Sequence, residues 1–294
     1  MKIGIVILNY NDYQTTLKLV NNICSYSSID HIVVVDNNSS NNSFNILSEQ
    51  NCGYTLLKST ENKGYASGNN IGIRYLLDHH NIDILGIVNP DIHFSNEFIY
   101  GIKKSFENNP DYAIITGLQM KPNGEISKRA FWQDLDFKRL IISNSPVLSK
   151  IDNIVCNYIS KKLQTNEALI SVPVVEGCCF FINAKDMQKI GLFDENTFLF
   201  CEEDILAKKI HKIGKKIGVN KNLKFIHAHS TTIKKALSQL KSTKIMLASK
   251  RYLLKNYIST NVLLNILFKI TFITCLIEQL FIVYPYNKLK NILK

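Results

Sequence analysis

The triplet Asn89-Pro90-Asp91 closes the apolar run Ile84 to Val88. Proline removes the next backbone donor, so a strand ending here leaves Asp91 at its carboxyl edge, where open α/β sheets gather their ligands. A carboxylate in that place suits a hard divalent cation, which takes oxygen ligands and shares them with a diphosphate. Alone, the triplet reads equally well as a turn with Asp91 capping a helix that starts near Asn96. Comparable polar groups follow other apolar runs: Asn9-Tyr10-Asn11 and Asp36-Asn37-Asn38-Ser39. An aromatic ring beside amides and a carboxylate can hold a flat heterocycle and a ribose. The stretch Asn62 to Asn70 carries Gly64 and Gly68 and opens a helix, whose N-terminus favours anionic groups. It matches neither the dinucleotide fingerprint nor the P-loop. Further on, Cys201-Glu202-Glu203-Asp204 follows an apolar stretch. Three carboxylates entering a helix complement its dipole, and a carboxylate at an apolar edge can also have a raised pKa and act as a base. His227 ends a short apolar run, where a histidine is either structural or a ligand.

The elements that must position these residues alternate. Ile3 to Leu8, Ile32 to Val35, Tyr54 to Lys58 and Ile84 to Val88 read as strands. Amphipathic helices separate them, the first with Asn11 as N-cap and Gln14 at the capping-box position. Asn9, Asp36, Asn62 and Asn89 follow the four strands in turn. This order predicts an α/β fold with a doubly wound, mainly parallel sheet and a ligand site at the strand carboxyl ends. Ala113 to Met120 is a further strand, followed by the tight turn Pro122-Asn123-Gly124. Phe131 to about Leu169 has weak periodicity and reads as an insert over the acceptor side, with the only tryptophan, Trp132, near its start. Strands at Val172 to Val175 and Cys179 to Ile182 flank Gly177. Helices at Ala184 to Ile190 and Glu203 to Ile213 stop at Gly191 and Gly214, and Lys224 to Ile226 is a short strand.

Composition bounds the partners. The 294-residue chain is 46% hydrophobic and 20% charged, ordinary for a folded protein, with a formal net charge of +11. Such a charge points to anionic partners: phosphorylated substrates, an anionic membrane surface or nucleic acid. Nucleic acid is disfavoured because the lysines crowd the tail and no recognised binding motif is present. Seven cysteines without a CxxC pair suit neither a zinc knuckle nor a disulfide framework, and a cytoplasmic location is expected. After Ser230 the character changes. Lys234, Lys235, Lys241, Lys244, Lys250, Arg251 and Lys255 load a helical stretch, and Val262 to Tyr284 is strongly apolar. Lys269 and Glu278 would each cost about 2–3.5 kcal/mol near a bilayer centre. A helix lying in the interface, at the inner face of the cell membrane, costs less.

Taken in order, ILNYND, VVVDNNSS, NKGYASGNN, IVNPDI, VEGCCFFI, GLFDENTFLFCEED and FIHAHS resemble glycosyltransferase family 2, in particular its bacterial rhamnosyltransferase-like branch. The resemblance covers about Lys2 to Thr232. It implies a GT-A-type catalytic domain over 1–232, its nucleotide-sugar half about 1–120 and its acceptor half about 121–232, with a C-terminal helical appendage over 233–294. The donor would be a nucleoside-diphosphate sugar and the acceptor a carbohydrate, or a polyprenyl-diphosphate-linked oligosaccharide as used for O-antigen or capsule. The resemblance implies Asn9, Tyr10, Asn11, Asp36 and Asn38 around base and ribose, and Gly64 to Asn70, with Asn69, near the diphosphate. It implies Asp91, with Asn89 in place of the first aspartate of a DxD-like triplet, and His227 as ligands of Mg²⁺ or Mn²⁺. Gly177, Glu202 and Trp132 would lie on the acceptor side. Held in register on Leu206, the family's Glu-Asp pair is Glu202-Glu203, so Glu203 is the base; a one-residue slip gives Asp204. A sugar nucleotidyltransferase needs a glycine-rich basic loop after the first strand, which ILNYND lacks. A non-catalytic nucleotide-sugar binder remains if Glu202 to Asp204 do not face the crevice. The donor sugar and the oligomeric state are left open.

Overall fold

The computed structural model describes residues 1–50, 53–145, 148–149, 158–228 and 239–283. In chain order the strands are β1 (Ile3–Asn9), β2 (His31–Asp36), β3 (Thr55–Lys58), β4 (Ile84–Val88), β5 (Ile92–His93), β6 (Tyr112–Met120), β7 (Phe131–Trp132), β8 (Leu169–Val172), β9 (Val174–Val175), β10 (Cys179–Asn183) and β11 (Lys216–His227). The described α-helices are α1 (Tyr13–Ile23), α2 (Ser43–Ser48), α3 (Tyr65–His79), α4 (Asn96–Asn108), α5 (Phe137–Asn144), α6 (Tyr158–Leu163), α7 (Ala184–Lys189), α8 (Glu202–Lys212), α9 (Gln239–Leu253) and α10 (Val262–Glu278), and π-helical turns at Leu254–Ile258 and Gln279–Val283 extend the last two. Nine strands form one sheet in the order β3-β2-β1-β4-β10-β6-β11-β5, with β8 also on the β11 edge. β1 to β4 are mutually parallel, and β6 and β11 are parallel to each other. β10 is inserted antiparallel between β4 and β6. The α/β expectation of a mainly parallel, doubly wound sheet holds.

Alternation along β1 explains why the sheet is covered on both faces. Ile3, Ile5 and Ile7 join Leu19, Val20 and Ile23 of α1 and Phe98, Ile99 and Ile102 of α4 in one core. Val6 faces the other way, with Ile73 and Leu76 of α3 and Leu206 and Ile210 of α8. A strand buried on both sides must be apolar throughout, which is why these runs lack polar interruption. A third cluster joins Leu140 of α5, Cys201 and Ile205 to Leu253, Leu254 and Phe268, so the C-terminal helices pack on the body.

Several local expectations change. Asn11 does not cap α1: the N-cap is Asp12, and Asn11 adopts φ 56° while its Oδ1 accepts from the backbone of Ser40 and Asn41. An amide that clips two loops together is engaged before it can cap. Asp91 does not cap α4 either, because Ser95 Oγ accepts from Phe98 N at 3.3 Å. The short strand at Lys224 to Ile226 belongs to the twelve-residue β11, whose register shifts between Asn220 and Lys224. That irregularity and its Lys/Asn content hid the first half of the strand. The insert after Phe131 contributes β7, which pairs with β9. The expected domain boundary at 232, together with Lys234, Lys235 and Tyr284, lies outside the described residues.

Gly64 precedes α3 with φ 101° and ψ −172°, a region essentially restricted to glycine. A Cβ there would overlap the Phe198 carbonyl, which accepts from Tyr65 N at 2.9 Å. Gly64→Ala is therefore expected to cost about 2 kcal/mol or more in chemical denaturation. Gly124→Ala, at φ 81° with nothing within 4 Å, should cost only about 1 kcal/mol.

Candidate active site

Sheet register gathers the metal-side residues. β11 runs antiparallel to β5 with His227 opposite Ile92, and Ala228 N donates to the Asp91 carbonyl at 3.0 Å. His227 Nε2 consequently lies 3.2 Å from Asp91 Oδ2, both residues buried. β10 enters beside β4 with Cys179 opposite Val88, and Asn89 N donates to the Cys178 carbonyl at 2.8 Å. This brings Glu176 to the far side of the imidazole, with Oε2 at 3.7 Å from His227 Nδ1 and Gln119 Nε2 at 2.9 Å from the same nitrogen. Burial alone would lower the His227 pKa, but Asp91 and Glu176 outweigh it and raise it to about 9. Glu176, Cys178 and His227 present ligand atoms within 4.8 Å of one another. Burial holds the Cys178 thiol well above its ordinary pKa, and a thiol suits a hard cation less well than a carboxylate does. Two carboxylates around one imidazole fit a Mg²⁺- or Mn²⁺-type ion.

The base side is built by a sharp turn into α8. Phe200 and Cys201 have φ 71° and 64°, left-handed values for non-glycine residues. The carboxylates that follow have separate surroundings. Asp204 is buried and its Oδ1 accepts from Trp132 Nε1 at 3.0 Å; burial raises its carboxyl to about 6 against that hydrogen bond. Glu202 is buried with no described partner for Oε2, and burial raises it to about 7. Glu203 keeps partial exposure, and its Oε1 accepts from Gly177 N at 3.2 Å. Burial, then Glu202 and Asp204, raise its carboxyl well above the ordinary range. Gly177 lacks a Cβ where one would meet the Glu203 carboxylate. Tyr65 OH donates to the Gly177 carbonyl at 2.6 Å and lies 3.3 Å from Asn89 Oδ1. One unbroken line of contacts therefore runs from Asp91 through His227, Glu176 and Gly177 to Glu203.

The nucleotide-side residues divide into scaffold and surface. Asn9 and Asp36 are fully buried; Asn9 Nδ2 donates to Asp36 Oδ1 at 2.7 Å, and Ser39 Oγ donates to the same oxygen at 2.6 Å. They hold the two loops together beneath the crevice. Asn38 is exposed at φ 56°, and Tyr10 is partly exposed beyond the end of β1. Asn69 is buried with Nδ2 on the Tyr65 carbonyl, within its own helix. Asn37, which carried no expectation, reaches Asn62 Oδ1 at 3.1 Å and the Gly64 carbonyl at 3.2 Å. Sequence reasoning also passed over Glu176 and Gln119, and it placed Tyr65 only within the Gly64 to Asn70 loop. An acidic residue directly before Gly177 was the available signal for Glu176, whereas Gln119 is a lone polar residue at a strand end.

The Glu202 environment makes a pH-dependent prediction. The carboxyl ionises near 4.5 without the protein around it and near 7 within it. Between those values the folded state holds the extra proton, so stability falls as pH rises and the penalty is complete above about 7. Glu202→Gln should raise the melting temperature more at pH 8 than at pH 5 in calorimetry; an equal change at both would refute this. Any unmet amide group acts at both pH values and cancels.

The glycosyl transferase family 2 model matches residues 4–191. The low-salt glycan biosynthesis hexosyltransferase Agl10 of Haloferax volcanii is 26% identical over 201 residues, which is 68% of this chain and 59% of that protein. The chain thus spans under two thirds of that relative. Among solved structures, S. aureus TarS 1-349 in complex with UDP-GlcNAc superposes with a TM-score of 0.55 at 11% identity, covering 96% of this chain and 73% of that one. Mannosyltransferase PcManGT from Pyrobaculum calidifontis in complex with GDP-Man and Mn²⁺ gives 0.52 at 14% identity, covering 95% and 74%. These likenesses establish a GT-A fold. With its own family model matched over most of the sheet, the chain belongs to glycosyl transferase family 2.

Proposed function

We propose that the protein is an inverting glycosyltransferase that moves a hexose or deoxyhexose from a nucleoside-diphosphate sugar to a carbohydrate hydroxyl. The observation that carries this is the partly exposed Glu203, joined through Gly177 and Glu176 to the Asp91–His227 pair. Glu203 takes the acceptor proton as the acceptor oxygen attacks the anomeric carbon from the side opposite the diphosphate. Burial and the neighbouring carboxyls raise its proton affinity, and Gly177 N fixes one carboxylate oxygen, leaving the other for the acceptor. Asp204, tied to Trp132, acts as an anchor of the turn and Glu202 as a buried neighbour that keeps Glu203 basic. Asp91 and His227 would hold a divalent cation, Mg²⁺ or Mn²⁺, which neutralises charge on the leaving diphosphate. The PcManGT complex, with GDP-Man and Mn²⁺, supports this reading of the metal side. The motif order supports the rhamnosyltransferase-like branch, and the hexosyltransferase relative supports a six-carbon sugar.

The acceptor is proposed to be lipid-linked, as in bacterial surface polysaccharide assembly, with the enzyme peripheral on the inner face of the cell membrane. Support comes from the tail: Val262–Phe281 is long and apolar enough to cross a membrane, and most of it is exposed. Leu263, Ile266, Ile270, Ile273, Ile277 and Phe281 share the outward face, while Phe268 and Cys275 pack inward. Glu278, costly in a bilayer, faces the body and accepts from Ser145 Oγ at 2.8 Å. From a helix lying in the interface the exposed Lys269 would reach the headgroups, so neither charge would enter the apolar layer.

Glu203→Gln should lower transfer by about 10²–10⁴, whereas Asp204→Asn should act mainly on stability. Assays against UDP-, GDP- and dTDP-sugars with Mn²⁺ decide this, and near-full turnover by Glu203→Gln would sink the assignment. For the tail, Leu263→Glu with Phe281→Glu, both about three-quarters exposed at 74% and 75%, should weaken sedimentation with anionic vesicles. The expected loss is at least about tenfold at unchanged melting temperature, from roughly 2 kcal/mol of apolar burial per site. Unchanged binding would assign those side chains another role.

A further inference from the structure

The segment Phe193–Cys201 carries the base into place, and its geometry is strained. Phe200 and Cys201 both lie in the left-handed region immediately before α8. Such conformations persist only where the surroundings over-determine them. On one side α3 does so: Asn70 Nδ2 donates to the Phe193 carbonyl at 3.0 Å and to Glu195 Oε1 at 2.8 Å. Tyr65 N holds the Phe198 carbonyl. On the other side Cys201 shares a cluster with Leu140 of α5, and the hydrogen bonds reaching the loop come from the C-terminal helices. Ser249 Oγ of α9 donates to the Leu199 carbonyl at 2.7 Å. Tyr252 OH and Tyr257 OH both donate to Asp194 Oδ2, at 2.9 and 2.6 Å. Leu253 and Leu254 share a buried cluster with Cys201, the residue that turns the chain into Glu202.

A tail that served only to attach the enzyme to a surface would have no need to grip this loop at three points with polar groups. Apolar packing on α5 would dock it. The hydrogen bonds instead converge on both ends of the loop, Asp194 near its start and Leu199 beside the strained pair. We propose that Ser249, Tyr252 and Tyr257 are positioning residues: through Asp194 and Leu199 they hold the turn that sets Glu203 against Gly177. The C-terminal helices are thereby part of the catalytic unit. This rests on the assignment of Glu203 as base. β1, β2 and α3 share no described hydrogen bond with the three residues, and α3 keeps its own hold on the loop through Asn70 and Tyr65, so the loss of the three should act on turnover and not on donor affinity. A misplacement of about 1 Å can cost up to 10²-fold in rate.

The test uses the full chain and the Tyr252→Phe/Tyr257→Phe double variant, with Ser249→Ala as a second, independent lesion. Hydrolysis of UDP-GlcNAc, GDP-mannose and a dTDP-deoxyhexose is followed with Mn²⁺, and amide hydrogen exchange is measured in parallel. The expected result is a kcat reduced at least about tenfold at unchanged donor KM, with faster exchange confined to 193–203. Asp194→Asn, which keeps an acceptor for both hydroxyls, should retain more kcat than Asp194→Ala. Unchanged exchange over 193–203 would overturn the clamp, and faster exchange with unchanged kcat would overturn its catalytic role. Equal losses in donor affinity and kcat would make the tail a general stabiliser and overturn the proposal as well. If the wild type hydrolyses no nucleotide sugar, the transferase reading fails, and the exchange data still decide whether the tail clamps the loop.

Discussion

The contact between His227 and Asp91 depends on a two-residue ladder, β5 against the end of β11. The two residues are far apart in sequence, and nothing local draws an imidazole to that carboxylate. Backbone pairing fixes the height at which β11 ends, and side-chain alternation then turns His227 towards Asp91 and Ile226 away from it, to the solvent. The same logic governs β10. Its antiparallel insertion beside β4 sets the turn Glu176-Gly177-Cys178 against Asn89, so one residue of slip would move Glu176 off the imidazole. The rest of the site is arranged around these two registers, and Glu203 reaches it by bonding to the backbone of that turn.

Electrostatics then separates groups that the sequence presents as equivalent. Glu202, Glu203 and Asp204 are consecutive, yet one faces the core, one faces the crevice and one is fixed by an indole. The left-handed backbone at Phe200 and Cys201 makes that divergence possible by starting the helix abruptly. Burial raises all three carboxyls, and at Glu203, the partly exposed member proposed as the base, Glu202 and Asp204 add to it. On the opposite wall, Asp91 and Glu176 bracket an imidazole and favour its charged form, so a divalent cation held by His227 would take the place of that proton. The crevice thus has an acidic edge and, across Gly177, the Glu203 carboxylate that is proposed as the base.

The fold was largely legible because its strands are buried on both faces and its helices are amphipathic, patterns that composition alone imposes. Asp91, His227 and Glu203 were visible as polar residues at the ends of apolar runs. Asn9 and Asp36 were visible for the same reason but proved to be buried supports of the loops, since two polar groups at adjacent strand ends bond to each other first. Asn11 and Gly64 had recognisable types for turns, while their partners, Ser40 and Phe198, come from other loops. Glu176 and Gln119 were missed because their importance lies in what stands opposite them.

The sequence by itself determined the order of elements, the parallel core and the line of polar residues along its carboxyl edge, because these follow from hydrophobic periodicity and chain-local turn chemistry. Tertiary structure alone decided which of three neighbouring carboxylates is accessible, which acidic residue completes the imidazole, and that α9 grips the loop leading to α8. Those outcomes are set by strand register and by contacts between segments remote in the chain, whose energies no local pattern encodes.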